Sequence, residues 1–198
     1  MPTPVVLSWS GGKDSALALH ALSQDASVEV VGLLTTMTDD YDRVGMHGVR
    51  RSLLEAQGAR FGLPVFQARI KAKSSNEEYE ASFLAALREM RARRPDVRHV
   101  AFGDLFLEDV RRYRETLLAR TDWQPLFPIW GEDTAALARR FISDGFAARL
   151  VCVDTTQLDG AFAGRSYDAE LLRDLPGACD PCGERVLRDE RFMYCDLL

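Results

Sequence analysis

The chain of 198 residues is long enough to bury one hydrophobic core, and its 46% hydrophobic and 28% charged residues are ordinary for a globular protein. A net charge of −5 argues against a protein that coats nucleic acid, because such proteins are usually strongly basic. No apolar run reaches the roughly 18 residues of a membrane span, and the first residues do not resemble a signal peptide. With four cysteines and no export signal, the sequence predicts a cytoplasmic protein without a disulfide framework.

Apolar runs and helical periods alternate along most of the chain. Runs rich in apolar and β-branched residues predict five strands, at residues 4–9, 28–36, 63–70, 97–103 and 148–154. Apolar residues at helical spacing, with start and stop signals around them, predict five helices, at residues 14–24, 46–62, 75–94, 108–120 and 132–145. The polar stretch 36–45 is predicted as a loop, and the proline- and aromatic-rich segment 123–130 interrupts the pattern.

This alternation predicts an α/β fold with a doubly wound, mainly parallel five-stranded sheet and helices on both faces. Beyond about residue 156 the strand–helix rhythm weakens. We therefore expect residues 1–156 to form the α/β domain and residues 157–198 to form a small C-terminal extension.

The stretch Ser10-Gly-Gly-Lys-Asp-Ser15 lies where the first predicted strand ends and the first helix begins. Ligands of doubly wound sheets bind outside the carboxyl ends of the strands. Glycines let the backbone approach a ligand closely, and the amides at a helix start attract anions. The stretch therefore predicts a polyphosphate site built from Ser10, Gly11, Gly12, Lys13, Asp14 and Ser15.

Other phosphate-binding motifs fit this stretch less well. A Walker A loop requires Ser or Thr after Gly-Lys, whereas Asp14 follows Lys13, and residue 7, where its first glycine would stand, is leucine. The dinucleotide pattern G-x-G-x-x-G is absent from the turn. A purely structural alternative remains, in which the turn is capped by Ser10 and Lys13 is only solvated.

Three further positions are candidates for the same edge of the sheet. Asp104, after Gly103, could hold magnesium or substrate, because Mg²⁺ prefers hard carboxylate oxygens, or it could simply cap the next helix. Arg114 could reach a phosphate or carboxylate with a bidentate fork, or it could belong to a solvated helix face. His47 could contact nucleotide or carry a proton, or it could be a surface residue at a helix start.

Two other patterns favour structural interpretations. Cys179 and Cys182 form one C-x-x-C pair without a second, which argues against zinc, and they do not lie where redox pairs of the thioredoxin type lie. The basic run at residues 91–99 is typical of a solvated helix end rather than of an RNA contact.

The stretch Ser10-Gly-Gly-Lys-Asp-Ser15 resembles the PP-loop of the N-type ATP pyrophosphatases, which cleave ATP between its α and β phosphates. Four later stretches resemble, in the expected order, the branch that includes diphthine–ammonia ligase and bacterial proteins called adenine nucleotide alpha hydrolases. They are GMHGVRRSLLEAQGARFGLP, VAFGDLFLEDVRRYRE, PLFPIWGED and DPCGE.

This resemblance implies a parallel sheet of the adenine nucleotide alpha hydrolase type, with ATP across its carboxyl edge and Mg²⁺ as a cofactor. It implies an ATP-dependent ligase that adenylates a small-molecule or protein carboxylate, releases pyrophosphate and forms an amide with ammonia. It assigns nucleotide contacts to His47 and Gly103, and it assigns catalytic roles to Lys13, Asp104, Arg114 and Glu184. Neither a membrane nor a nucleic acid is expected as a partner, and a homodimer is left open.

The chain departs from that branch after the turn at Cys182, Gly183 and Glu184, which the resemblance places in the acceptor pocket. Members of the branch usually continue with Gly-Glu-Phe/Tyr-His-Thr, whereas this chain continues RVLRDERFMYCDLL. The acceptor half-reaction is therefore in doubt. The main alternative is a regulator that binds ATP without turning it over, and RNA modification is less favoured because the chain is acidic and short.

Overall fold

The computed structural model describes residues 1–45 and 48–183, and the backbone alone of residues 193–197. Two predicted site residues, His47 and Glu184, lie outside the described residues, so their predicted roles stay predictions.

Eight strands and six α-helices are described. The strands are β1 (Thr3–Ser8), β2 (Val28–Thr38), β3 (Arg43–Val44), β4 (Val65–Ile70), β5 (His99–Ala101), β6 (Gln124–Leu126), β7 (Ala148–Val153) and β8 (Met193–Leu197). The α-helices are α1 (Lys13–Gln24), α2 (Arg51–Phe61), α3 (Asn76–Arg93), α4 (Glu108–Leu118), α5 (Thr134–Ser143) and α6 (Ala169–Asp174). Short 3-10 helices cover Asp39–Tyr41 and Gly160–Phe162.

The main sheet has five parallel strands in the order β4-β2-β1-β5-β6, and β3 pairs antiparallel with the end of β2. From β1 the chain adds β2 and β4 on one side, and it then crosses over to add β5 and β6 on the other side. The order reverses beside β1, and this reversal opens a crevice at the carboxyl ends of β1 and β5. The α/β prediction with a mainly parallel sheet is confirmed.

Helices cover both faces of this sheet because neighbouring strand residues point to opposite sides. Leu7 belongs to the core cluster beneath α1, α2 and α5, whereas Val6 belongs to the cluster beneath α3 and α4. Tyr167 and Cys182 pack into the first of these clusters. The boundary between a domain at residues 1–156 and an extension after it stays a prediction.

The predicted strand at residues 148–154 forms, but it does not extend the main sheet. It is β7, which pairs antiparallel with β8 in a separate two-stranded sheet. Buried Ala148 and Leu150 alternate with exposed Arg149 and Val151, a pattern that suits an antiparallel pair with one open face.

The fifth parallel strand is β6, which lies within the segment predicted only to interrupt the pattern. Pro125 stands in the middle of β6. Proline lacks the amide donor that a central strand requires, and β6 tolerates it because, among the described strands, it pairs with β5 alone, at the edge of the sheet.

The loop predicted at residues 36–45 is also more ordered than expected, since β2 continues to Thr38 and is followed by the 3-10 helix Asp39–Tyr41 and by β3. The helix predicted from residue 46 is described from Arg51. By contrast, the predicted serine cap of α3 is confirmed, because Ser75 and Glu78 form a reciprocal capping box. None of the helices in the described part of the chain combines the length and apolarity that a membrane span requires.

Candidate active site at the carboxyl edge of the sheet

The loop from Ser10 to Ser15 turns the chain from β1 into α1. Gly11 has φ +81°, a conformation that side chains rarely adopt, so glycine is required there. Gly12 is the N-cap of α1, and no side chain caps the helix. The amides of the first turn are therefore not satisfied by a capping side chain, which is the arrangement that favours an anion at a helix start.

Hydrogen bonds within the loop fix its shape. The Gly12 amide donates to Ser10 Oγ at 3.2 Å, and Ser15 Oγ donates to the Gly12 carbonyl at 2.8 Å. The two serine hydroxyls lie 3.3 Å apart. Ser10 therefore braces the loop, and the N-cap position that the structural alternative gave to Ser10 belongs to Gly12.

Gly103, two residues after the end of β5, lies directly against this loop. A Cβ on Gly103 would lie 2.8 Å from the carbonyl oxygen of Asp14, 2.9 Å from its carbonyl carbon and 3.1 Å from the Ser15 nitrogen. These are backbone atoms, which cannot rotate away as a side chain can. Only glycine fits at this position, and its absent side chain lets the loop rest on the end of β5.

Asp104 and Arg114 form a bidentate ion pair beside the loop. Arg114 Nε donates to Asp104 Oδ2 at 2.6 Å and Arg114 Nη2 donates to Oδ1 at 3.2 Å. Asp104 is buried, and the guanidinium of Arg114 lies over the ring of Phe102 at 4.2 Å. The aspartate and the aromatic ring together hold Arg114 in one orientation.

The neighbouring arginine of α4 has different partners. Arg111 Nε donates to Glu115, four residues later on the same helix, at 2.8 Å. The Arg111 guanidinium lies 4.7 Å from the ring centroids of both Phe127 and Trp130. Both arginines lie over aromatic rings, but Arg111 pairs within α4, whereas Arg114 pairs with Asp104 at the end of the sheet.

Lys13 is only 2% exposed. Its ammonium pairs with the carboxylate of Asp14, and it lies 5.8 Å from the ring centroid of Tyr167. The interpretation of Lys13 as a solvated surface lysine is therefore wrong. Its positive charge lies between Asp14 and Tyr167, and a direct contact with phosphate stays a prediction.

The turn that contains Cys182 also reaches the loop. Cys182 is 3% exposed, its amide donates to Asp180 Oδ1 at 2.7 Å, and its thiol donates to the Thr134 carbonyl at 3.4 Å. Burial raises the pKa of the Cys182 thiol to about 12, although the nearby Lys13 charge acts in the opposite direction. A buried, neutral thiol is a poor nucleophile.

A cleft of about 490 Å³ opens at the carboxyl ends of the strands. It brings together six of the predicted site residues, Ser10, Asp14, Ser15, Gly103, Asp104 and Arg114. Its other walls come from the strand ends, from α4 and from the start of α3, and include Trp9, Thr36, Ile70, Tyr79, Phe102, Leu107 and Val110. Gly11, Gly12 and Lys13 are buried, and in the part of the chain that the structure describes they do not line this cleft.

The sequence did not single out Gln57, which braces the loop from α2. Gln57 Nε2 donates to the Gly11 carbonyl at 3.4 Å, and its Oε1 accepts from the Trp9 ring nitrogen at 2.9 Å. Gln57 lies within one of the stretches that carry the family resemblance, and that location was the available signal. No sequence signal pointed to Tyr167.

The cleft offers carboxylates for a magnesium ion. Within residues 1–45 and 48–183 no group of three or more His, Cys, Asp or Glu side chains is placed to hold a metal. Magnesium at nucleotide sites is usually held by the phosphates and only one or two carboxylates. Asp14 and Asp104 both line the cleft, so the donors that are present fit magnesium carried by a nucleotide.

Comparison with known proteins gives one family. The model of the diphthamide synthase N-terminal domain matches residues 3–121, which is more than half of the chain and includes both the loop and the Asp104–Arg114 pair. A search of curated proteins finds no match. The chain therefore belongs to the diphthamide synthase family, a family of PP-loop ATP pyrophosphatases.

Proposed function

We propose that this protein is an ATP-dependent ligase that adenylates a carboxylate and converts it to an amide with ammonia. The observation that carries the proposal is the cleft in which the phosphate loop faces the Asp104–Arg114 pair at the switch point of the sheet. Membership of an ATP pyrophosphatase family supports cleavage of ATP between its α and β phosphates.

In the proposed reaction an oxygen of the acceptor carboxylate attacks the α-phosphorus of ATP, and pyrophosphate leaves. Ammonia then attacks the acyl carbon, loses a proton and displaces AMP. The amides of the first turn of α1, held in place by the hydrogen bonds of Ser10 and Ser15, are the donors for the charge that develops on pyrophosphate. Donors that the fold already orients need no reorganisation during the reaction, which is usually the largest catalytic contribution.

Arg114 is proposed to bind an anion in the cleft, either the α-phosphate or the acceptor carboxylate. Asp104 and Phe102 restrict its guanidinium, so little side-chain entropy is lost when the anion binds. Lys13 adds positive charge beside Asp14. Magnesium bound with ATP would neutralise part of the phosphate charge, and Asp14 and Asp104 would hold it.

The test is a product analysis with magnesium-ATP, ammonium and a panel of small carboxylates. We expect AMP and pyrophosphate in equal amounts, and only with one class of acceptor. ADP and phosphate would contradict adenylation. ATP that binds but survives with every acceptor would support the regulator that the divergent C-terminal sequence suggests.

Two variants of α4 sharpen this test. Arg114→Lys keeps the charge but loses the bidentate fork, and we expect turnover to fall about 10- to 100-fold. Arg112→Lys is the matched control, because Arg112 is exposed on the same helix. Equal turnover in both variants would remove Arg114 from the reaction.

A further inference from the structure

The aromatic ring of Tyr167 stands between the phosphate loop and the turn at Asp180–Gly183. Tyr167 is 3% exposed, and its hydroxyl donates to the Pro181 carbonyl at 2.5 Å. The same ring faces the ammonium of Lys13 at 5.8 Å, within the range of a cation–π contact. One side chain thus contacts both the C-terminal turn and the loop.

Neighbouring elements hold Tyr167 firmly. Its amide donates to the Ala148 carbonyl at 2.8 Å, which fixes its backbone to β7. Its ring packs edge-to-face on Phe141 of α5, with centroids 5.5 Å apart and an interplanar angle of 89°. A ring that is anchored by a strand and a helix gives Lys13 a fixed surface on which to rest.

The turn is equally well defined. The Gly183 amide donates to the Asp180 carbonyl at 2.9 Å, and Gly183 has φ +77°, so the chain reverses tightly there. The Cys182 side chain is buried against the Thr134 carbonyl at the start of α5. The Tyr167 hydroxyl therefore ties an ordered turn to the ring that supports Lys13.

We propose that Tyr167 is a positioning residue that acts through Lys13 on the carboxylate of Asp14. Lys13 pairs with Asp14, and Asp14 lines the cleft. A displacement of the ring moves the ammonium, and the ammonium sets the orientation of the carboxylate that faces the nucleotide. This inference rests on the proposed function, because it requires magnesium-ATP in the cleft.

The experiment compares wild type, Tyr167→Phe and Tyr41→Phe by calorimetric titration with magnesium-ATP. Tyr167→Phe retains the ring and removes only the hydroxyl that holds the turn. Tyr41 is 66% exposed and does not line the cleft, so Tyr41→Phe is the control for loss of a phenol. We expect Tyr167→Phe to weaken ATP binding about fivefold, the usual contribution of one buried hydrogen bond, and Tyr41→Phe to leave it unchanged.

A second readout follows the turn directly. Mass spectrometry measures the rate at which N-ethylmaleimide labels Cys182, and we expect Tyr167→Phe to raise this rate about fivefold because the turn opens more often. Faster labelling with unchanged ATP affinity would show that Tyr167 only stabilises the turn, and would overturn the positioning role. Unchanged labelling and affinity would overturn it as well. Failure of the wild type to bind ATP would instead refute the proposed function.

Discussion

Replacement of Gly103 by alanine tests whether the end of β5 supports the phosphate loop. The new Cβ would lie 2.8 Å and 2.9 Å from the carbonyl oxygen and carbon of Asp14, well inside the separations that real Cβ atoms show. Backbone atoms cannot swing away, so the start of α1 must shift by several tenths of an ångström. We expect Gly103→Ala to lose about 1–3 kcal/mol of unfolding free energy, the usual cost of overpacking.

The same shift should damage the cleft, because Asp14 and Ser15 line it. Chemical denaturation and calorimetric titration with magnesium-ATP measure the two effects on one preparation. For a domain of this length, each kcal/mol corresponds to about 2–4 °C in melting temperature. We expect ATP affinity to fall at least about tenfold, since a displacement of this size disturbs several hydrogen-bond donors at once.

Gly177→Ala is the matched control for this substitution. Among the described residues no atom lies within 4 Å of the position that a Cβ on Gly177 would take, and the φ of Gly177 is not in the left-handed region. The control should therefore keep wild-type stability and ATP affinity. If Gly103→Ala matched Gly177→Ala in both measurements, the close approach of β5 to the loop would not matter, and the reasoning would be refuted.

Three further predictions address the surroundings of the site. Asp104→Asn should lower the unfolding free energy by about 3 kcal/mol, because it breaks a largely buried ion pair. This value is at the low end for such pairs, since the Arg114 side chain is 22% exposed. A loss below about 1 kcal/mol in urea denaturation would contradict the prediction. Burial raises the pKa of the Cys182 thiol to about 12, so its contribution to stability is complete below pH 9 and is lost as the pH rises from 9 to 12. Cys182→Ser should flatten the decline of the unfolding free energy across that window. Equal declines in the variant and the wild type would show that Cys182 does not cause it. Ser75→Ala removes half of a capping box and should lower the unfolding free energy by about 1 kcal/mol, with unchanged ATP affinity as the internal control.

The parallel core of the sheet could be predicted because its strands carry a long enough apolar signal. β1, β2 and β4 each span six residues or more, and each contains fully buried residues. β6 has three residues, one of which is Pro125, and its place in the sheet depends on pairing with β5. Pairing across distant parts of the chain leaves no periodicity in the sequence.

The prediction that β7 belongs to the main sheet was wrong for a related reason. Its apolar run looks like a buried parallel strand, but its partner is β8, at the end of the chain. An alternation of apolar and polar residues would distinguish an antiparallel strand with one open face from a buried parallel strand. The sequence shows this alternation only partly, because Val151 is apolar although it is exposed. Sequence composition shows that a strand forms there, whereas the identity of its neighbour depends on tertiary packing.

Some features of the site could likewise be predicted from local sequence, whereas others depend on tertiary packing. The loop itself and Gly103-Asp104 could be identified because their residues are contiguous and follow strands. The Asp104–Arg114 pair could not, since a separation of ten residues matches no helical spacing and depends on how α4 packs against β5. The burial of Lys13 beside Tyr167 also depends on tertiary packing, and its contact with phosphate stays a prediction.

A binding loop made mostly of backbone has few side chains with which to hold its own shape. Here the support comes from three separate parts of the fold: Gly103 just after β5, Gln57 from α2 and Tyr167 from the C-terminal segment. Each contacts a different part of the loop, at Asp14, Gly11 and Lys13 respectively. Because the three contacts involve different loop residues, we expect their losses to add, so that a double variant of Gln57 and Tyr167 weakens ATP binding by the product of the single effects. A larger loss would show that the supports cooperate, and a smaller one would show that they act through the same part of the loop.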